Sequence, residues 1–437
     1  MTNGRLAPGG LAGVDVAVEA TAPEAGPLAE FLGVEGARAR IASPHELDRE
    51  PAARAVFLDA WTPEVSPRVV RLRESGVLVS CLADVVLARA GQRVLGVTGT
   101  AGKTTTTSIV AQLLATAGLE VALPAPGLSA NLWPDASLLG AFTSPTRIVM
   151  ELTSSHLAFC RHSPQIAVVT SFWPDHVELH GSFDSYRRAK ETISREQSSD
   201  GWLIVPDDGS CESFVAATRA RTARFSPLAP VDCGAFLNQE RVVVRWNDEE
   251  HQLIDAASLP LRGDCVANAL AACTAALVAG VPPAVLADAL RGIRMPPHRF
   301  VEIGRFDSVP VYDDSMAGTP AKARAALELF PDDSIVLVAG GETLGAAGPV
   351  HATEAECELL EGACALARRK ARRTILFGPA AARLGGLLPP DEEASTIEEA
   401  VERAVARASG ARAILIAPMF PVSPEQRTRI ATRSFRR

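Results

Sequence analysis

At 437 residues the chain is longer than one ordinary hydrophobic core supports, so about two to four domains are expected, and with them a multidomain enzyme. Hydrophobic residues at 47% and charged residues at 22% are globular composition and exclude disorder except near the ends, and with aromatics at only 5% the cores must be filled by Ala, Val and Leu. A formal charge of −8, with basic residues scattered apart from Arg368 to Arg373 and Arg433 to Arg437, excludes a nucleic-acid partner; those two runs read as solvated helix ends.

The 8 cysteines form no C-x-x-C pair and fit reduced thiols in a cytoplasmic enzyme, not a zinc or disulfide framework. No basic leader precedes an apolar segment, and no apolar run reaches the roughly 18 to 20 residues of a membrane span. The expectation is a soluble, cytoplasmic monomer without a membrane partner.

From Val14 to Ala90, short apolar runs (Val14 to Val18, Ala55 to Leu58, Val77 to Val79) alternate with helical patterns at Glu24 to Leu32 and Ala83 to Ala90, a small α/β unit over residues 1–91. Gly9-Gly10-Leu11-Ala12-Gly13 precedes the first of these runs and reads as a flexible leader. Val94 to Thr98 then reads as a buried parallel strand, Lys103 to Ala117 as a helix, and Arg147 to Glu151 and Ile166 to Thr170 as further strands. Trp202 to Val205, Arg241 to Arg245 and Gln252 to Ile254, with Ala-rich helices at Val266 to Val278 and Pro283 to Arg291, complete a second domain over residues 92–297. Pro296-Pro297 marks a linker, because proline biases its predecessor away from helix. Beyond it, strand patterns at Phe300 to Ile303, Val309 to Tyr312, Ile335 to Val338, Thr374 to Phe377 and Ala413 to Ile416 alternate with helices at 319–329, 353–370, 397–408 and 424–434. That is a third, parallel and Rossmann-like α/β domain over residues 298–437.

One motif carries chemistry by itself. Leu95-Gly96-Val97-Thr98 runs into Gly99-Thr100-Ala101-Gly102-Lys103-Thr104-Thr105, a strand ending in a glycine-rich turn that opens a helix. Glycines let backbone N–H groups approach phosphate, the helix N-terminus adds its positive end, Lys103 suits the β- and γ-phosphates, and Thr104 suits magnesium. The strict spacing is missed, since Val97 stands five before Gly102. The loop implies a nucleoside triphosphate with Mg2+; a tight turn with an exposed lysine is the alternative.

Further motifs follow in order, and together they resemble the Mur ligase superfamily from about Gly76 onward, most strongly between Val94 and Lys190. Membership would imply three domains, which bind in turn a UDP-sugar-like acyl substrate, ATP and the incoming amine, and an ADP-forming carboxylate–amine ligation through an acyl phosphate. On that resemblance Asn131 contacts substrate near the reaction centre, a turn asparagine being the alternative. Glu151, in Glu151-Leu152-Thr153-Ser154-Ser155, resembles an E-x-S-S motif whose acid ligates Mg2+ and whose hydroxyls, here Thr153 and Ser154, meet substrate. His176 in Asp175-His176 falls where the family ligates a second Mg2+, and Lys190 in Tyr186-Arg187-Arg188-Ala189-Lys190 where a CO2-derived carbamate on lysine helps hold that ion. Carbamylation needs a neutral amine, so burial or neighbouring cations must lower the lysine's pKa.

Asn268 survives in an adenine-side segment in which Asp264 and Cys265 depart from the family pattern. Pro297-His298-Arg299-Phe300 matches a linker signature whose arginine meets ATP phosphate, and Asp314 and Ser315 remain from a D-S-K-A-T segment, the aspartate on the nucleotide side and the serine on the substrate side. Ser423 loosely matches a substrate-binding serine. Two lysines of the D-glutamate-adding branch are replaced by Met316 and Leu344. The losses lead to the expectation of an amide ligase that keeps the chemistry but takes an amine other than D-glutamate, in a specialised pathway. Addition of D-glutamate to UDP-N-acetylmuramoyl-L-alanine in peptidoglycan synthesis is the second reading, and a nucleotide-binding scaffold that has lost ligation the third.

Overall fold

A computed structural model describes residues 6–49, 52–124, 131–261, 265–342 and 354–431. Two compact units make up the chain, one reaching Arg294 and the other starting at Met295. The architecture is mixed α/β, with three sheets that are mostly parallel. No helix among the described residues is long and apolar enough to cross a membrane.

The first unit holds two sheets. β1 (Asp15–Glu19), β2 (Arg38–Ala42), β3 (Ala55–Phe57) and β4 (Leu78–Ser80) form an all-parallel sheet in the order β2-β1-β3-β4. Its helices start where side chains satisfy the orphan N–H groups: Ser43 and Glu46 make a capping box for Pro44–Asp48, and Ser66 caps Pro67–Glu74. At the carboxyl end of β1 the buried Glu19 carboxylate accepts bonds from Asp59 N (3.0 Å), Thr62 Oγ1 (2.9 Å) and Arg68. The segment from Gly9 to Gly13 is not a leader. Leu6 and Leu11 are buried in the core of this sheet, Gly9 and Gly13 turn the chain at φ of +72°, and Gly13 N donates to Gly36 O at 2.8 Å. Two apolar side chains outweighed the loop-like glycine content.

The second sheet of this unit has nine strands: β5 (Val94–Thr98), β6 (Val121–Ala122), β7 (Arg147–Glu151), β8 (Ile166–Val169), β9 (Trp202–Pro206), β10 (Arg221–Ser226), β11 (Gly234–Asn238), β12 (Arg241–Trp246) and β13 (Glu249–Asp255). Their order is β13-β12-β11-β10-β9-β8-β5-β7-β6, parallel except for the two antiparallel pairs joining β11, β12 and β13. The period of two sorts side chains between faces. Val94, Ile148, Met150 and Ala167 join the cluster that includes Leu82 and Val86, while Leu95, Val97, Val149 and Val168 pack with Ile109, Leu113 and Leu270. β10 and β11 were not legible in the sequence, where R-T-A-R-F-S offers little apolar alternation.

The second unit contains β14 (Val301–Phe306), β15 (Val309–Asp313), β16 (Ile335–Gly340), β17 (Ala371–Phe377), β18 (Glu392–Ala394) and β19 (Ala413–Met419) in the order β14-β15-β19-β16-β17-β18. All pairs are parallel except β14 with β15, a hairpin turned by Asp307 and Ser308 at positive φ, so the wholly parallel expectation is corrected there. Asp264, Leu344 and Arg433 to Arg437 lie outside the described residues.

Candidate active site

β5 delivers the chain at Thr98 into the loop 99–102, and the helix Lys103–Thr116 leaves from it with Gly102 as its N-terminal cap. Gly99 and Gly102 have φ of +147° and +83°. A Cβ on Gly99 would lie 3.1 Å from Ser171 N, and one on Gly102 would lie 3.2 Å from Asn268 Cγ and closer still to its Oδ1. Only glycine fits either position. Segment 170–173 braces the loop: Thr100 N donates to Ser171 O and Ala101 N to Ser171 Oγ, both at 2.9 Å, and Thr100 Oγ1 lies 2.9 Å from Tyr186 Oη. After Lys103 the helix continues with four consecutive threonines, which favour it little by propensity; all four are buried, so packing forms it.

Around this loop the charged groups converge. Lys103 Nζ donates to Gly99 O (3.0 Å) and Thr100 O (3.1 Å). Glu151 closes β7 with its carboxylate 2% exposed, and its Oε2 accepts from Thr104 Oγ1 at 2.6 Å. The same hydroxyl lies 3.1 Å from Asn131 Oδ1, and Glu151 N donates to Leu132 O at 2.8 Å, which fixes the Asn131 loop beside the strand end. A carboxylate, a hydroxyl and an amide oxygen grouped beside a phosphate-type loop are a hard oxygen set that fits magnesium, an ion that keeps several water ligands. Among the described residues no three His, Cys, Asp or Glu side chains cluster as a metal cage.

Lys190 lies on the inner face of the helix Phe183–Arg195, 2% exposed, with Nζ donating to Gly99 O at 2.8 Å and 5.0 Å from the centre of the Tyr186 ring. Burial, and after it the neighbouring Lys103 ammonium, hold its pKa well below the usual lysine value, while Asp175 and Glu151 pull the other way. These are the two causes that a neutral, CO2-reactive amine requires, so the site fits a carbamate. His176 is exposed at φ +50°, with Nε2 3.6 Å from Asp175 Oδ2.

Thr153 caps the helix Ser154–Ala158. Its hydroxyl accepts from His156 N (3.2 Å) and lies 2.7 Å from His156 Nδ1, and Ser154 is buried behind it. Burial pushes the His156 imidazole down to about 4, against the pull of Glu151, and its ring centre lies 6.4 Å from that of Trp133. His156 stands one residue past the motif read in the sequence; a T-x-x-H capping pattern was the signal available. Asn268, one turn into the helix Val266–Val278, accepts from Thr106 Oγ1 at 3.3 Å and lies under Gly102, so the structure places it against the phosphate loop.

In the second unit the linker signature and the end of β15 meet. Asp313, fully buried, accepts from Ser315 N (2.9 Å) and lies 2.7 Å from His298 Nδ1; Met316 N donates to His298 O at 3.1 Å. Asp314 N donates to Ile416 O at 3.0 Å. Ser423 caps the helix Pro424–Ala431 by accepting from Gln426 N at 3.2 Å. Arg299 comes within electrostatic range of Arg427, a buried residue of that helix.

Residues 97–276 match the family described as "Mur ligase middle domain". A UDP-N-acetylmuramoylalanine–D-glutamate ligase (MurD) of Symbiobacterium thermophilum is 32% identical over 377 residues, 83% of this chain and 78% of the relative. The ligase of the same name from Acetivibrio thermocellus is 29% identical over 361 residues, 80% of this chain and 75% of the relative. The crystal structure of MurF ligase from Thermotoga maritima in complex with ADP superposes with a TM-score of 0.59 at 18% identity, covering 96% of this chain and 93% of that one, a likeness of fold. The chain belongs to the Mur ligase superfamily as a MurD-like member, and with it to the ligases that form carbon–nitrogen bonds.

Proposed function

We propose that this chain is an ATP-dependent, ADP-forming ligase that activates the carboxylate of an acyl donor as an acyl phosphate and couples it to an amine. The observation that carries the reading is the grouping of Lys103, Thr104, Glu151 and the buried Lys190 on one phosphate loop. A carboxylate oxygen attacks the γ-phosphorus as the bond to ADP breaks. The amine nitrogen then attacks the acyl carbon, phosphate leaves, and the amine gives up a proton. Lys103 is the phosphate-facing cation, and the loop N–H groups hold the phosphates without reorganisation. Asn131, Thr153 and Ser154 orient the acyl donor; Asn268 fixes the loop; Arg299 and Asp314 serve the nucleotide, and Ser315 and Ser423 the amine.

Two magnesium ions, one on Thr104 and Glu151 and one on His176 and a carbamate of Lys190, would supply charge neutralisation for the transferring phosphoryl group. Lys190 is suited to carbamate formation because its amine is buried beside Lys103.

The relatives' names support D-glutamate as the amine and UDP-N-acetylmuramoylalanine as the acyl donor, and on that reading the reaction is a step of peptidoglycan synthesis in the cytoplasm. A second reading, another amine in a specialised pathway, draws on Met316, where an apolar side chain follows Ser315. Phosphate release with ATP, UDP-N-acetylmuramoyl-L-alanine and a panel of amino acids separates the two: stimulation by D-glutamate alone supports the first, and stimulation by another amine alone the second. Full ATP-dependent amide formation by Lys103→Ala would remove the mechanism.

A further inference from the structure

In the first sheet, ordered β2-β1-β3-β4, the winding reverses between β1 and β3, and open parallel sheets bind ligands in the crevice outside the carboxyl ends of such a strand pair. Here that crevice is built as the opposite of the phosphate loop. The turn after β1, Ala20-Thr21-Ala22-Pro23-Glu24, contains no glycine, and Pro23 has no N–H to offer. Ala20 N donates to Ala42 O (2.8 Å), Ala22 N to Glu19 O (3.1 Å) and Ala25 N to Ala22 O (3.0 Å). Glu24 caps the helix Ala25–Val34, with Asp59 and Asp135 within electrostatic range of it.

The Glu19 carboxylate, 2% exposed, gathers the remaining donors: Asp59 N at 3.0 Å, Thr62 Oγ1 at 2.9 Å, and the guanidinium of Arg68, whose Nε also meets Asp48 at 2.9 Å. A backbone N–H, a hydroxyl and a guanidinium are the donors from which phosphate seats are made. Glu19 is thus an anion of the chain itself lodged in an anion's seat.

Beside this seat the wall is aromatic. Trp61 is 45% exposed, its N donates to Asp59 Oδ1 at 2.9 Å, and its ring centre lies 5.2 Å from that of Trp133. The Trp133 ring lies 6.4 Å from His156, whose Nδ1 is 2.7 Å from Thr153 Oγ1, and the adjoining Leu132 O accepts from Glu151 N at 2.8 Å. An aromatic line therefore connects the crest of the first sheet to the acid that closes β7. The Trp133 Nε1 is buried and has no hydrogen-bond partner among the described residues, a donor that a ligand oxygen would satisfy.

We propose that the crest of the first sheet holds an uncharged group of the acyl donor, remote from its reacting carboxylate, against Trp61 and Trp133, and that Glu19 closes the same crest to a diphosphate. The inference rests on the ligase reading above and narrows its acyl donor, because the diphosphate of a UDP-sugar would have to displace a buried carboxylate from three donors.

Two measurements on the full chain test it. The first is calorimetric titration of UDP into the parent, Glu19→Gln and Glu19→Ala, each saturated with ADP and magnesium so that the phosphate loop is filled. Glu19→Ala frees Asp59 N, Thr62 Oγ1 and Arg68 and should bind UDP at least about tenfold more tightly than the parent, with Glu19→Gln, which keeps the shape, gaining less. The second is steady-state phosphate release with ATP, a panel of amino acids, and either UDP-N-acetylmuramoyl-L-alanine or N-acetylmuramoyl-L-alanine. The KM for the nucleotide-free donor should lie within about threefold of that for the UDP donor, and Trp61→Ala should raise both about tenfold with kcat and the KM for ATP nearly unchanged. UDP binding by the parent as tight as by Glu19→Ala, or a KM at least about tenfold higher for the nucleotide-free donor, overturns the closed crest and leaves the ligase reading standing. Donor KM values unmoved in Trp61→Ala overturn the aromatic wall. Turnover of neither donor with any amine removes the ligase reading for muramoyl donors, and the UDP titration then decides the crest by itself.

Discussion

Replacing Gly102 with alanine tests how the phosphate loop is held. At φ +83° an alanine is placed in the left-handed region, at a cost of roughly 1–2 kcal/mol. Its Cβ would also overlap Asn268, with Cγ at 3.2 Å and Oδ1 nearer, and would touch Thr170 Cβ at 3.4 Å. Displacing a packed side chain costs roughly 1–3 kcal/mol more, so Gly102→Ala should lose roughly 2–5 kcal/mol of stability and weaken ATP binding at least about tenfold. Asn268→Ala removes the obstacle and not the backbone strain. The double variant should therefore recover roughly 1–3 kcal/mol, a coupling readable from urea unfolding of the nucleotide-free parent, both single variants and the double variant. Coupling within about 0.5 kcal/mol of zero, or parental stability in Gly102→Ala, would refute the packing of Asn268 beneath the loop.

Other expectations follow from the same geometry. The His156 imidazole, held down to about 4 by burial, stays neutral in the folded chain while the unfolded chain takes up its proton near 6.5. Stability should thus fall as pH drops from about 6.5 to about 4, by roughly 3 kcal/mol in full, and His156→Gln should flatten that slope in urea titrations. Glu24 shifts the opposite way: burial raises its carboxyl to about 7, so the folded chain keeps a proton that the unfolded chain loses near 4.5. Its contribution is lost as pH rises from about 4.5 to about 7, and Glu24→Gln should be the more stable protein at pH 8 and not at pH 4. Thr104→Val removes the hydroxyl shared by Glu151 and Asn131 and should weaken magnesium-dependent ATP binding about tenfold in calorimetry, with smaller loss when magnesium is absent. Lys190→Ala should abolish turnover, and short carboxylates should restore part of it; no rescue, with an unmodified lysine in the parent by intact mass, would argue against the carbamate.

The chemistry-bearing elements were the most legible because each announces itself locally. Val94 to Thr98 is a continuous apolar run, the glycines follow it, and Glu151 ends a run of the same kind, so strand, loop and acid could be placed without knowing what packs on them. The groups that brace the site were not legible, since their roles depend on residues distant in sequence. Asn268 lies under Gly102 from 166 residues away, and the clamp on Glu19 joins it to Thr62 and Arg68. The polar strand β10 is held by its neighbours β9 and β11 and not by its own pattern, and the turn from Gly9 to Gly13 is packed because Leu6 and Leu11 have a core to enter.

The most direct measurement of the central claim follows oxygen. With 18O in the reacting carboxylate of the acyl donor, ATP and the amine that drives turnover, an acyl phosphate pathway transfers one labelled oxygen to the inorganic phosphate for each amide formed. Label in phosphate matching amide product is the predicted result. Amide formation with unlabelled phosphate, or ADP release without amide, would contradict the account.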